Sequence, residues 1–303
     1  MADSWKIAAR APKPVIQDAL MAHEDAWDWD PEVILSGREE ADDRPDDWVL
    51  EAWYPRRPTR KDKAAVAALF GGSVPALEVE KLPDEDWVTL SQQGAEPIRA
   101  GRFHVHTPDY PPDPDPAVRS LSIPASQAFG TGQHATTAGC LHMLTAMRRS
   151  GVVVRNLADI GTGTGLLAFA ALDLWPHARA TASDIDAVCV EVVDFNARTN
   201  GFSLGPGAGE VTMVVADGMM DPLLQARGPY DLLIANILAG PLVELAPDFG
   251  KAVPPGGSLL LAGLLETQEP KVRSAYRRAG FRLAARLVRG DWSILWLRRR
   301  SAR

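Results

Sequence analysis

The chain has 303 residues, of which 46% are hydrophobic and 23% are charged, a composition typical of folded globular domains. This length suits about two domains of ~150 residues and excludes a largely disordered chain. No apolar run reaches the ~18 residues that span a bilayer, and the N-terminus lacks the apolar segment of a secretory signal. Cys140 and Cys189 have no metal-ligand spacing and are too few for a disulfide framework, so we predict a reduced, cytoplasmic protein without a metal or a membrane partner.

The net charge of −7 is unevenly distributed along the chain. Residues 1–120 contain 24 acidic and 14 basic residues, a net charge of −10. Residues 271–303 contain 1 acidic and 11 basic residues, a net charge of +10. An acidic front part is a poor partner for nucleic acid and suits a basic protein. Charge alone leaves open the alternative that acidic loops only maintain solubility.

The first 81 residues predict a small α+β domain with the order β-α-β-β-α-β, which is typical of a ferredoxin-like fold. Hydrophobic periodicity places strands at 5–9, 32–36, 48–54 and 76–81, and helices at 13–26 and 59–70. Six of the nine tryptophans lie within the first 87 residues. We expect most of them to be buried in the core.

Residues 82–120 predict a connector between two domains. One short strand is expected at 102–106. Five prolines follow between positions 108 and 116. Such a run excludes regular structure and favours a spacer or an exposed loop.

The segment 121–303 predicts an α/β domain. From residue 156, apolar strands alternate with helices. Strands are expected at 156–160, 179–183, 211–216, 232–235 and 258–262, and helices at 138–148, 166–174, 187–200, 241–252 and 266–279. Two final strands, at 281–288 and 292–297, predict a terminal β-hairpin. The pattern indicates a Rossmann-like, doubly wound sheet that is mainly parallel.

The turn after the first of these strands contains three glycines behind an acid: Asp159, Gly161, Gly163 and Gly165. A dinucleotide fingerprint needs glycine at the sixth place of the turn, which is Leu166 here, so the NAD interpretation fails. The pattern resembles motif I of class I S-adenosylmethionine (AdoMet) methyltransferases. A leading carboxylate suits a ligand that carries an amino group better than it suits a pyrophosphate.

Further polar residues follow the next strands. Asp184 lies ~20 residues beyond the glycine turn, where an acid accepts ribose hydroxyls, and Asp186 is expected to cap the following helix. Asp217 and Gly218 follow the third strand, where they would face an adenine or simply form a turn. Asn236 ends the fourth strand. Because Ile237 and Leu238 replace the Pro-Pro-aromatic motif of enzymes that act on nucleobases, Asn236 favours an aliphatic amine as the target.

A glycine-containing loop precedes the sheet, and its polar residues are Thr131, His134, Thr136 and Thr137. These residues are compatible with a ligand-binding loop. Taken alone, they favour a plain helix start, in which a threonine caps the helix and His134 lies on the surface.

The segments QAFGTGQHATT, ADIGTGTGLLAFAAL, SDIDAVCVEVVDFNARTNG, ANILAGPLVELAP and PPGGSLLLAGLLETQ, in this order, closely resemble the bacterial ribosomal protein L11 methyltransferases (PrmA). The resemblance covers residues 120–298 and extends through the connector as EKLPDEDW and RAGRFHVH. It implies an N-terminal substrate-recognition domain, a linker and a class I catalytic domain. It also implies methylation of the α-amine and lysine ε-amines of a large-subunit ribosomal protein.

The resemblance also implies a set of site residues. The AdoMet contacts of the family fall on Thr137, Gly161, Asp184 and Asn236. Other family site residues nearby are Phe129, Gly130, Thr131, His134, Asp159, Gly163, Asp217 and Gly218. We expect Asn236 to direct the amine toward the methyl group. His134 is a candidate general base, with water as the alternative.

The expected partner is a basic ribosomal protein, free or on the large subunit, with no sequence-specific nucleic acid, and the expected state is a monomer. Since the acidic segment 1–120 coincides with the predicted recognition domain and linker, its charge favours steering of a basic substrate. Two alternatives remain at this point. One is a lysine methyltransferase of the same build that acts on a different protein, and the other is a non-catalytic AdoMet-binding protein.

Overall fold

The computed structural model describes residues 5–24, 29–30, 33–40, 44, 46–81, 97–124 and 133–301. The chain divides into two compact units, residues 1–93 and residues 94–303. Among the helices of the described residues, none combines the length and the apolar character needed to cross a membrane.

The first unit has the predicted ferredoxin-like topology. Its antiparallel sheet has the order β2-β3-β1-β4. Ile7 and Leu50 of the sheet are buried with Ile16 and Val66 of the helices. The elements are β1 (Trp5–Pro12), α1 (Lys13–Glu24), β2 (Ile34–Glu39), β3 (Asp47–Tyr54), α2 (Arg60–Ala68) and β4 (Leu77–Lys81).

The expectation that most front tryptophans belong to the core is confirmed for three of the four that the structure describes, since Trp5, Trp29 and Trp48 pack against it. Trp5, Trp29, Trp48 and Trp53 are all half-buried, and Trp27 and Trp87 lie outside the described residues. Cationic side chains cover several of the rings: the Lys6 ammonium lies 5.5 Å from the Trp53 ring centroid. Such contacts let a ring stay partly exposed at the edge of a core.

The second unit begins with a three-stranded sheet, β5 (Ile98–Ala100), β6 (Phe103–His106) and β7 (Arg119–Ser122). The predicted strand at 102–106 is present as β6, and residues 107–118 contain no helix or strand. Within the expected connector 82–120, residues 98–120 belong to the second unit. The physical reason is burial, because Phe103 and Leu121 share a hydrophobic core with Leu141 of the helix α3 (Gln133–Arg149).

The large sheet of the second unit has eight strands in the order β10-β11-β9-β8-β12-β13-β15-β14. It is parallel up to β13, and the predicted terminal hairpin of β14 and β15 is confirmed, with both of its pairings antiparallel. The strands are β8 (Asn156–Ile160), β9 (Arg179–Asp184), β10 (Ser203–Leu204), β11 (Glu210–Val215), β12 (Leu232–Asn236), β13 (Ser258–Leu265), β14 (Phe281–Arg289) and β15 (Trp292–Arg299).

Helices cover both faces of this sheet, and each face has its own hydrophobic core. The fold is therefore the predicted Rossmann-like one. The predicted helix at 241–252 is interrupted at Leu245, because Pro247 has no amide hydrogen for the Val243 carbonyl. The helices are α4 (Leu166–Leu174), α5 (Val188–Asn200), α6 (Pro222–Arg227), α7 (Ala239–Glu244), α8 (Ala246–Ala252) and α9 (Glu269–Arg278).

Candidate active site

The sequence-predicted residues of four strands meet at one edge of the large sheet. The parallel strands β8, β9, β11 and β12 all point their carboxyl ends to this edge. Asp184 lies opposite Val215 in the register, and Asp159 lies opposite Ile234, two residues before Asn236. β8 lies between β9 and β12, so the chain leaves β8 toward one side of the sheet and later returns on the other. Ligands of doubly wound folds bind at such a switch point.

The glycine turn after β8 is fixed to the end of β9 by hydrogen bonds. The backbone amides of Gly161 and Thr162 donate to the Ser183 carbonyl at 2.8 and 2.9 Å. The Gly163 amide donates to Asp184 Oδ2 at 2.9 Å. Gly161, Gly163 and Gly165 have φ values of 71°, 53° and 82°, a region that favours glycine. The turn therefore presents bare backbone at the amino end of α4, where a ligand can approach closely.

Asp159 has a structural role within this turn. Its side chain is buried, and Oδ2 accepts hydrogen bonds from the Thr162 hydroxyl at 2.7 Å and from the Ala168 amide at 3.1 Å. Burial raises the pKa of Asp159 to about 7, although these two hydrogen bonds favour the charged form. The predicted contact of Asp159 with a ligand amine stays a prediction.

Asp184 is the half-buried carboxylate at the end of β9. Besides Gly163, it accepts a hydrogen bond from the Asp186 amide at 3.1 Å. Asp186 in turn accepts from the Val188 amide at 2.9 Å, which confirms its predicted capping of α5. Burial, followed by the charge of Asp184, raises the pKa of the Cys189 thiol to about 12. Cys189 is therefore a protonated, unreactive thiol beside the site.

Asn236 is half-buried at the end of β12, opposite Ala262 of β13. The residue after it determines the shape of this corner. A Cβ on Gly161 would lie 2.3 Å from Ile237 Cγ2, and a Cβ on Gly263 would lie 2.3 Å from the Ile237 carbonyl oxygen. Ile237 thus packs closely against both the glycine turn and β13. Gly263 was not predicted from the sequence, where its only local signal is a glycine inside the apolar strand SLLLAGLL.

Asp217 and Gly218 form a turn after β11. Asp217 is exposed, and its carbonyl accepts from the Met220 amide at 3.2 Å. Gly218 has a φ of 55°, and a Cβ there would lie 2.5 Å from Leu245 Cδ2. A group of exposed apolar side chains lies at the ends of β9 and β11 and was not predicted from the sequence. Its members are Ile185 (70% exposed), Val215 (45%) and Met220 (73%).

Only part of the predicted loop before α3 belongs to the described residues. Phe129, Gly130 and Thr131 lie outside the described residues, as does the side chain of His134. α3 begins at Gln133 rather than at the predicted residue 138. Thr136 and Thr137 are therefore inside the helix and are buried, 2% and 4% exposed. The alternative that either of them caps the helix is wrong.

These features fit AdoMet. Left-handed glycines present bare backbone at the amino end of α4, and a carboxylate at the end of β9 can accept the hydroxyls of a ribose. Exposed apolar side chains beside it can cover a planar base. Among the described residues, no cluster of three or more His, Cys, Asp or Glu side chains could hold a metal ion.

Comparison with known proteins agrees with this geometry. The family model "Ribosomal protein L11 methyltransferase (PrmA)" matches residues 15–300. Proteins named ribosomal protein L11 methyltransferase are similar in Agrobacterium fabrum, 38% identical over 88% of this chain and 90% of theirs, and in Rhizobium meliloti, 43% identical over 74% of each.

A crystal structure of a ribosomal protein L11 methylase from Lactobacillus delbrueckii subsp. bulgaricus is also similar. It is 26% identical, with a TM-score of 0.57 over 68% of this chain and 100% of that one. The family match and the curated relatives each cover most of the chain. The chain therefore belongs to the ribosomal protein L11 methyltransferase (PrmA) family and is a class I, AdoMet-dependent protein methyltransferase.

Proposed function

We propose that this enzyme methylates the α-amino group and lysine ε-amino groups of ribosomal protein L11. Family membership over residues 15–300 supports the substrate. The observation that carries the chemistry is the position of Asn236, which Ile237 holds beside the glycine turn. An amide at this point, without the aromatic platform that a flipped base needs, suits an aliphatic amine.

The cofactor site extends along the sheet edge from β12 to β11. AdoMet, when bound, supplies an electrophilic methyl group on a sulfonium. Gly161 and Gly163 admit it to the amino end of α4, with Thr137 and Asp159 nearby. Asp184 accepts the ribose hydroxyls. Ile185, Val215 and Met220 cover the base, and Asp217 and Gly218 border it.

The amine must reach the site with a free lone pair. A lysine with a pKa of ~10.4 is mostly protonated at pH 7, and an α-amine at ~7.7–8.0 less so. Ile237 and Leu238 give the amine an apolar surrounding, and Phe129 adds to it, which favours the neutral form. Asn236 then directs the lone pair, so that most of the acceleration comes from positioning. The proton that the methylated amine releases goes to His134 or to water.

Recognition of the protein substrate belongs to the front of the chain. We assign residues 1–81 to recognition and 82–120 to a linker, whose strands β5 and β6 pack with the catalytic unit. The net charge of −10 over residues 1–120 suits a basic ribosomal protein. We further propose that the enzyme acts as a cytoplasmic monomer.

Purified enzyme, labelled AdoMet and a panel of ribosomal proteins test the substrate. Label should enter L11, at its N-terminus and at lysines, as mapped by mass spectrometry. Labelling of a different protein with L11 unlabelled would favour a methyltransferase of another specificity. Binding of AdoMet without transfer to any protein would favour a non-catalytic role.

The role of Asn236 is tested by Asn236→Ala. The loss of an aligning group should lower kcat about 100-fold, while the Kd for AdoMet changes much less. Asn196→Ala is the control, because it also removes an asparagine from the second unit. Asn196 donates a hydrogen bond to the Thr164 carbonyl under the glycine turn, so this variant should lower stability and AdoMet binding rather than kcat. An unchanged kcat for Asn236→Ala would remove its assigned role.

A further inference from the structure

A cavity of about 520 Å³ lies between α9 and the terminal hairpin of the second unit. Four of its lining residues are Arg273, Arg277, Arg282 and Arg300, and within the described ranges its lining contains no carboxylate. We call it the arginine cleft. Its chemistry plays no part in methyl transfer.

The arginine cleft lies at the opposite edge of the sheet from the candidate active site. Phe281 pairs with Arg299 at the start of β14, and Arg298 pairs with Ser258 at the start of β13. Asn236, by contrast, lies near the carboxyl end of β13, opposite Ala262. A ligand in the arginine cleft would therefore be separated from AdoMet by the length of the sheet.

Most of the charge in the arginine cleft is uncompensated. Arg273 pairs with Glu269 at 3.1 Å. Arg277, Arg282 and Arg300 are exposed and form no ion pair with any described residue. These three guanidinium groups repel one another, and a bound anion would offset that repulsion. The arrangement thus favours a negatively charged ligand.

The positive charge continues beyond the cavity. Arg278 donates to the Ser274 hydroxyl at 2.9 Å, Arg298 donates to the Gly256 carbonyl at 2.6 Å, and Arg299 donates to the Ala279 carbonyl. These acceptors are neutral, so each bond fixes a guanidinium in place without cancelling its charge. The basic surface therefore extends from α9 across the end of the hairpin. This surface is wider than a binding site for one small anion needs to be.

Part of the wall of the arginine cleft is apolar and buried. Phe281 and Leu297 are buried, and the Arg299 guanidinium lies 5.4 Å from the Phe281 ring centroid. The Tyr276 hydroxyl is buried and has no hydrogen-bond partner among the described residues. Low-dielectric walls strengthen the attraction of nearby arginines for an anion.

We propose that the arginine cleft binds the phosphodiester backbone of RNA without reading its sequence. Guanidinium groups match phosphate oxygens through paired hydrogen bonds, which favours phosphate over an isolated carboxylate. The width of the basic surface favours a polymer over a free nucleotide. The 11 bases and 1 acid of residues 271–303 give this end of the enzyme the charge of a nucleic-acid contact. The proposal does not depend on which protein is methylated.

Fluorescence anisotropy with the full-length enzyme and a labelled, mixed-sequence single-stranded RNA tests the proposal. Wild type should bind, with an affinity that falls steeply as KCl rises. Arg277→Ala/Arg282→Ala should weaken binding at least 10-fold at about 100 mM KCl, and should reduce the slope of log K against log salt by about 1.4, or ~0.7 per lost phosphate contact. Both side chains are exposed, so AdoMet binding and the melting temperature should be unchanged.

Arg60→Ala/Lys63→Ala is the matched control. It removes the same charge from exposed positions of the first unit and should leave RNA binding unchanged. Cross-linking of wild type to RNA that contains 4-thiouridine, mapped by mass spectrometry, should label peptides within residues 271–301. Equal RNA binding by both double variants, or cross-links confined to other segments, would overturn the proposal. So would tighter binding of ATP or of a polyglutamate peptide than of RNA.

Discussion

Gly263 is the residue on which the path of the chain after Asn236 depends. A Cβ at this position would lie 2.3 Å from the Ile237 carbonyl oxygen and 2.9 Å from its nitrogen. Main-chain atoms cannot rotate aside as a side chain can. In addition, Gly263 has a φ of +84°, which L side chains rarely adopt. Because Gly263 has no side chain, the Ile237 main chain can pack directly against β13. This packing keeps Ile237, and with it Asn236, against the glycine turn.

Gly263→Ala should destabilise the enzyme by about 3 kcal/mol or more, because main-chain overlap adds to the strain of a positive φ. Gly151→Ala is the control, because Gly151 has a φ of +78° but no heavy atom within 4 Å of its Cβ position. Its free energy of unfolding should fall by only about 1–2 kcal/mol. Urea unfolding measures both losses. Calorimetry should also show weaker AdoMet binding for Gly263→Ala alone. Equal losses in the two variants would mean that contact with Ile237 is unimportant.

Asp159 gives the protein without AdoMet a specific pH dependence. Burial raises its pKa from 3.8 to about 7. Between those values the folded state keeps a proton that the unfolded state has released, so stability falls as pH rises through this window. From pH 5 to pH 8, wild type should lose about 2 kcal/mol more than Asp159→Asn, which stays neutral. Urea titrations at the two pH values measure this difference, and parallel pH profiles would contradict it.

At the scale of elements, Glu269 attaches α9 to the terminal hairpin. This buried carboxylate accepts hydrogen bonds from Arg286 of β14 at 2.6 Å and from Ser293 of β15 at 2.7 Å. Arg273, one turn along α9, donates at 3.1 Å. Burial opposes the charged form, but the bonds from Arg286, Ser293 and Arg273 together lower the pKa of Glu269 below its usual value.

Glu269→Gln should destabilise the protein by about 2 kcal/mol at pH 7, because it removes the charge from a buried acceptor of three hydrogen bonds. Because the pKa of Glu269 is lower in the folded protein, its carboxylate stabilises the fold at pH values above the usual pKa of 4.5. This stabilisation is lost as the pH falls through the pKa of Glu269 in the folded state. The deficit of the variant should therefore shrink in acid. Glu266→Gln removes an exposed partner of the same Arg286 and should cost less than about 1 kcal/mol. Thermal unfolding at pH 7 and pH 4 compares them, and similar losses would contradict the role of Glu269.

The elements that the sequence predicted well have local signals. β8 carries the apolar residues Leu157, Ala158 and Ile160 and is followed by three glycines, and α5 ends before Gly201, which has a φ of 75°. Other features arise from contacts between distant segments. β5 and β7 are three and four residues long and become strands only by pairing with β6.

The same distinction applies to the site. The glycine turn, Asp184 and Asn236 were predicted because each stands at the end of an apolar strand. Gly263 was missed, since its need comes from the main chain of Ile237, 26 positions earlier in the chain. The exposure of Ile185 and Met220 was missed for a similar reason. An apolar residue in the sequence is expected to be buried unless the tertiary structure leaves it open.

For the whole molecule, the charge is separated into an acidic front and a basic end. Part of the acidic charge is neutralised locally: Glu51 is buried and bonds to both Lys6 and Arg38. Arg10 bonds to Glu40 and Glu78. A net charge of −10 nevertheless remains over residues 1–120. It is opposite in sign to the arginine cleft, so a basic protein and RNA would be attracted to different segments of the chain.

Salt should therefore affect the protein substrate and AdoMet differently. Raising KCl from about 50 mM to about 500 mM shortens the Debye length from more than 10 Å to less than 5 Å. We expect kcat/KM for L11 to fall about tenfold, because association steered by charge slows when the field is screened. The Kd for AdoMet, held by short-range contacts at the sheet edge, should change less than about twofold. Asp18→Asn removes a charge at an exposed position of α1 and should show a shallower salt dependence than wild type. A kcat/KM for L11 that is insensitive to salt would contradict steering by the front of the chain.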